Sequence, residues 1–70
     1  MKKVFAFGLY LEVEDWVKYL AVDANGNIYG YEKIPREGSN KWFSDGPGEV
    51  EYIYSLNFDV NNFNLMIVGV

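Results

Sequence analysis

The chain contains no cysteine and no histidine. Lacking cysteine, it has no disulfide, no thiolate zinc site and no thiol nucleophile. Lacking histidine, it has neither the commonest general base nor the imidazole metal ligand. Basic residues are scarce, six against ten acids, for a net charge of −4. A phosphate backbone or an anionic membrane surface calls for a basic patch, so neither is an expected partner. Long apolar runs are missing too. Met1 to Phe7 starts like a signal peptide, but the run soon meets Glu12, Glu14 and Asp15 without a small-residue cleavage site. These absences lead to the expectation of a non-enzymatic protein with no cofactor and no metal site, working in a reducing cytoplasm.

What is present is apolar. Half of the 70 residues are hydrophobic and 19% are aromatic. Residues 1–70 read as one small β domain, and a chain of this size buries only about 60% of its unfolded surface. A thin sheet has little room for so much apolar material, which points to an oligomer or a partner surface.

The most informative stretch runs from Asp15 to Pro35. Two runs rich in aromatic and β-branched residues flank Asp23 to Asn27, the pattern of a β-hairpin. A two-residue turn on Asn25-Gly26 would set Lys18 against Lys33. A type I turn from Asp23, with Gly26 left-handed as a bulge, sets Lys18 against Glu32, Tyr19 against Tyr31 and Val22 against Ile28. Opposite charges and paired aromatics favour the bulged register by ~0.2–1 kcal/mol per pair. Val17, Tyr19, Ala21, Tyr29 and Tyr31 then share one face, and Leu20, Val22, Ile28 and Gly30 the other. Neither is a plain solvent face, so one is expected to cover a core and the other to be partly covered.

Around this hairpin, Lys3 to Val13 alternates as a single strand with Phe5, Phe7, Leu9, Leu11 and Val13 buried. Arg36 to Gly48 reads as a long irregular connection, divided where Trp42-Phe43 packs down. Glu49 to Asp59 alternates again, with Val50, Tyr52, Tyr54, Leu56 and Phe58 on one face. A tight turn at Asn61-Asn62 would pair it with a last strand from Asn64 to Val70. No window carries a capped helical stripe. The expected fold is all-β: about five antiparallel strands in a small bent sheet or an SH3-like or OB-like barrel, with little or no helix. The uncharged last strand, if it lies at an edge, invites a homodimer by strand pairing.

Chemistry is thin. Ser39, Ser44 and Ser55 lack a base and an elbow motif, and the acids read as solvated charge. Asp23-x-Asn25-x-Asn27 resembles a calcium loop, but glycine falls at the fourth position and Ile34 at the twelfth. Tyr29 and Tyr31 could stack a ligand such as a nucleotide, with core packing as the competing reading. Trp42 and Phe43 sit beside loops and acids, as interface anchors do.

The run from Trp16 to Pro35 (Trp-Val-x-Tyr-x-Ala-x-Asp, a glycine turn, then Ile-Tyr-x-Tyr-Glu and a proline), followed by Trp42, resembles small uncharacterised accessory proteins of tailed bacteriophages. The resemblance spans Asp15 to about Asp45. It implies a protein that binds and blocks a host or anti-phage defence protein in the bacterial cytoplasm. The surface expected to do so comprises Glu12, Glu14, Asp15, Trp42, Phe43 and Asp45, acids for on-rate and specificity and aromatics for affinity. On this reading Trp42→Ala weakens binding without unfolding the chain. The alternatives are a nucleotide-binding or sponge protein using Tyr29 and Tyr31, and a minor structural virion protein.

Overall fold

The computed structural model describes residues 1–70 and is all-β apart from one 3₁₀ turn. Eight strands follow one another: β1 (Lys2–Ala6), β2 (Leu9–Val13), β3 (Tyr19–Val22), β4 (Asn27–Tyr31), β5 (Arg36–Glu37), β6 (Trp42–Phe43), β7 (Val50–Ser55) and β8 (Ile67–Gly69). They form two two-stranded ribbons, β1-β2 and β5-β6, and one four-stranded sheet in the order β7-β4-β3-β8. Every pairing is antiparallel. The sheets stay open rather than closing into a barrel.

The central hairpin takes the bulged register, with Tyr19 opposite Tyr31 and Val22 opposite Ile28. Gly26 has φ +90° and donates its N–H to Asp23 O at 2.9 Å, while Asp23 N–H reaches Asn27 O at 2.8 Å. Only glycine occupies that conformation without strain. The space is also closed to a side chain, because a Cβ on Gly26 would lie 2.3 Å from Phe58 O.

The N-terminal segment departs from the single expected strand. It folds back at Phe7-Gly8, both left-handed at φ +55° and +78°, so that Ala6 pairs with Leu9. A two-residue loop of this kind matches the twist of the strands it joins. It also reverses parity: Val4 and Ala6 face inward from β1, and Leu9, Leu11 and Val13 from β2, while Phe5 is 60% exposed. A second turn closes with Val17 N–H on Glu14 O at 3.0 Å. It takes Val17 out of the strand alternation and seats it on Gly30, on the face opposite to the one expected.

The second half differs from the expected meander. β7 ends at Ser55, where Asn57 turns left-handed at φ +64° and donates its N–H to Ser55 Oγ at 3.1 Å. Asparagine tolerates this conformation. The chain then crosses the hairpin turn, with Leu56 N–H on Gly26 O at 3.0 Å and Val60 N–H on Ala24 O at 2.9 Å. After the 3₁₀ turn Phe63–Leu65, β8 pairs with β3, so the pairing with the preceding strand expected from a tight turn at Asn61-Asn62 does not form. Strands β3, β4 and β7 with β8 returning beside β3 make a Greek key. A bulge in β7 leaves Ile53 between the pairs Tyr29–Tyr52 and Ile28–Tyr54. It divides the apolar face expected for residues 50–58. Tyr52 stays beside Tyr29, whereas Leu56 packs into the core on the other side.

Two apolar clusters result, one on each face of the hairpin. The larger joins Leu20, Val22 and Ile28 to Ala6, Leu11, Val13 and Val17, with the β1-β2 ribbon as its cover. The smaller joins Ala21, Tyr31 and Trp42, with Tyr19, Tyr29, Phe63 and Ile67 at its border. The central hairpin is thus covered fully on one side and partly on the other, as its sequence implied. The stretch expected as an irregular loop is itself a ribbon, β5-β6, closed by Gly38 N–H on Lys41 O at 2.7 Å.

Candidate functional site

The six residues expected to form one acidic and aromatic surface do not meet. Glu12 projects outward from β2, opposite Lys3 in β1, and Asp15 follows in the next turn with its carboxylate 3.5 Å from the N-terminal amine. Glu14 is half-buried. These acids belong to the layer that covers the larger core. Trp42, Phe43 and Asp45 belong to β5-β6 and its sequel, on the opposite face of the sheet. Asp45 pairs with Arg36 at 2.6 Å.

Trp42 is not an exposed anchor. It is 8% exposed, and its indole Nε1–H is shared between Val22 O and Phe63 O, each at 3.1 Å. Its own backbone N–H donates to Asp23 Oδ1 at 2.9 Å. The ring also stands edge-on to Phe63, with centroids 6.4 Å apart. Trp42 therefore ties the β5-β6 ribbon and the 3₁₀ turn to the central hairpin. Phe43, its neighbour, points the other way and is exposed.

The aromatics that do accompany the acids are Phe5 and Tyr10. The loop at Phe7-Gly8 sets them directly opposite each other on the solvent side of β1-β2, ring centroids 4.8 Å apart. They are 60% and 77% exposed. Lys3 and Glu12 are the next outward pair along the ribbon, so the surface reads aromatic near the Phe7-Gly8 loop and charged toward Glu12, Glu14 and Asp15. Taking residues 3–13 as one strand hid this pair. The signal for it was Gly8 midway along an alternating run, a two-residue loop with equal arms. Between β2 and β7, Leu9, Tyr10, Leu11, Glu12, Ile53 and Tyr54 line an open cleft of about 480 Å³.

On the other face, Tyr29 and Tyr31 meet Trp42, Phe43 and Val50 around a cleft of about 240 Å³, with Asp23 and Lys41 at its polar end. Tyr31 is 3% exposed. Burial, then the nearby Asp23 and Tyr29, push its phenol up to about 12. Burial also pushes the Asp23 carboxyl above its ordinary range, against the opposing effects of the Trp42 N–H and of Lys41. In the Asp-x-Asn-x-Asn run, Asp23 Oδ1 and Asn25 Oδ1 each serve a backbone N–H, that of Trp42 and that of Asn27. No three His, Cys, Asp or Glu side chains are grouped to hold a metal ion. No helix is long and apolar enough to cross a membrane.

No protein-family model matches the chain, and neither does any curated protein or solved structure.

Proposed function

We propose that the chain is a non-enzymatic binding protein that occludes a protein partner through the outer face of β1-β2. Phe5 and Tyr10 are the anchors, and Glu12, Glu14 and Asp15 the acidic flank. One observation carries the reading: two large aromatics in mutual contact are held in solvent on a ribbon whose other side is committed to the core. Exposed aromatic pairs rimmed by charge are the usual composition of interface centres. The net charge of −4 favours a basic partner. The bacteriophage resemblance of the central hairpin supplies the context, a host or anti-phage defence protein in the bacterial cytoplasm. In this reading the chain acts as a strand-paired homodimer, so each assembly carries the surface twice.

The test is capture from bacterial lysate with tagged protein, competed by untagged protein. One protein captured near stoichiometry by the wild-type chain and lost with the double substitution Phe5→Ala, Tyr10→Ala supports the reading. Capture unchanged by that substitution overturns it.

A second reading, a small-ligand site between Tyr29 and Tyr31, is favoured by one feature. Tyr29, Tyr31, Trp42 and Phe43 line one small cleft together with the charged side chains of Asp23 and Lys41. A nucleotide released on denaturation and visible in the ultraviolet spectrum would support it.

A further inference from the structure

The four-stranded sheet has two edges, and the chain treats them differently. The β7 edge carries Glu51 with exposed Glu49 beside it, and the Ile53 bulge breaks its regularity. Charges and bulges are two of the means by which β proteins stop an edge from accepting another strand. The β8 edge has neither. Ile67-Val68-Gly69 pairs regularly with β3, and no ionisable side chain occurs from Val60 to Val70. Met66 O accepts from Val22 N–H at 3.0 Å, and Val70 N–H donates to Lys18 O at 2.8 Å. Strand alternation then turns the N–H and C=O groups of Ile67 and Gly69 away from β3, into the open. Leu65, 73% exposed, stands just before them.

We infer that this edge pairs with the same edge of a second copy, antiparallel about a two-fold axis at Val68. Charge selects the occupant. Two chains of net charge −4 repel each other, and the β8 flank is a place where they can approach without bringing acids together. Beside its Val70 end stand Lys18, Glu32 and Lys33, charges of both signs together, which single out no foreign partner of one sign. Self-pairing is also the arrangement in which one strand supplies both sides of an isologous contact. With Ile67 opposite Gly69 of the second copy, every outward N–H and C=O of both residues finds a partner. The four-stranded sheets join into one continuous sheet, whose remaining edges are the two blocked β7 strands. This deepens the homodimer component of the proposed function and is independent of the host partner's identity.

Sedimentation equilibrium from micromolar to sub-millimolar chain tests it, together with amide exchange followed by NMR. The wild-type chain is expected to approach twice its 8.1 kDa mass. Its Ile67 and Gly69 amides, free in the monomer, are expected to gain protection as concentration rises. Gly69→Pro removes an outward N–H only, and an added Cβ there meets nothing nearer than Lys18 O at 3.9 Å. It is expected to be monomeric with an unchanged circular dichroism spectrum. A wild-type chain monomeric throughout the range overturns the inference. So does a dimer in which the Ile67 and Gly69 amides stay unprotected, or one that Gly69→Pro leaves intact. Should Gly69→Pro unfold, the exchange pattern of the wild-type chain decides alone. Failure to capture a host protein leaves these masses untouched, so the two readings fail separately.

Discussion

Replacing Trp42 by alanine is expected to unfold much of the domain rather than merely weaken an interface. The indole is 8% exposed, packs with Ala21 and Tyr31, and bonds two carbonyls from different parts of the chain. Truncating a buried aromatic of this kind costs about 3–5 kcal/mol. Leaving the Val22 carbonyl without its donor adds about 1 kcal/mol. A 70-residue domain holds about 4–10 kcal/mol in total, so the loss is about two-fifths of the margin or more. Trp42→Phe keeps most of the ring and loses only the Nε1–H and some volume, for an expected cost of about 1–2 kcal/mol. Urea unfolding followed by far-ultraviolet circular dichroism ranks the three proteins, with the wild type most stable and Trp42→Ala least. A Trp42→Ala variant within about 0.5 kcal/mol of the wild type, the range of surface substitutions, would refute the placement of this side chain.

Other variants probe the same frame. Because the folded Asp23 carboxyl titrates above its ordinary value of 3.8, the folded chain holds a proton through that window which the unfolded chain has released. Its contribution to stability therefore rises as pH falls through the raised value and is smallest at neutral pH. Asp23→Asn keeps an oxygen for the Trp42 N–H, so urea midpoints against pH should lose this component without a drop at neutral pH. Asp23→Ala should cost about 1–3 kcal/mol by orphaning that N–H. Tyr31, pushed up to about 12, keeps its proton in the folded chain above pH 10, where the unfolded chain sheds it. Stability should fall between about pH 10 and 12, with less of a fall in Tyr31→Phe, and absorbance titration should show the Tyr31 phenol ionising late. Gly26→Ala meets both a positive φ and Phe58 O at 2.3 Å, whereas Gly8→Ala meets only the positive φ. Thermal melts should show the first severely destabilised and the second reduced by about 1–2 kcal/mol.

The parts of the fold legible in the sequence are those set by local rules. The central hairpin was legible because turn chemistry, charge pairing and aromatic pairing all chose one register, and the two faces of Leu20 and Ala21 followed from it. The turn at Phe7-Gly8 was not, because phenylalanine at positive φ is rare and the alternation on either side continued unbroken through it. The position of β8 was not legible either. Pairing it with β7 or with β3 satisfies the same apolar alternation, and the choice rests on long-range bonds from Leu56 and Val60 to the hairpin turn. The Ile53 bulge, which splits the face expected for Val50 to Phe58, has no signature in composition. The candidate surface was half legible for these reasons. Its acids stand where the sequence placed them, at the end of the N-terminal segment, but their aromatic companions are Phe5 and Tyr10. A buried tryptophan beside a polar loop and an exposed one look alike in sequence; the carbonyls of Val22 and Phe63 make the difference here.

The most direct test of the functional claim is calorimetric titration of the captured partner with two variants side by side, Tyr10→Ala and Tyr52→Ala. Both remove an exposed tyrosine, 77% and 54% accessible, from opposite sides of the molecule. An interface centred on β1-β2 predicts that Tyr10→Ala weakens binding by about thirtyfold or more, as loss of an anchor worth about 2 kcal/mol does, with Tyr52→Ala close to wild type. Tight binding by Tyr10→Ala and loss with Tyr52→Ala would contradict the account and move the site to the other face of the sheet.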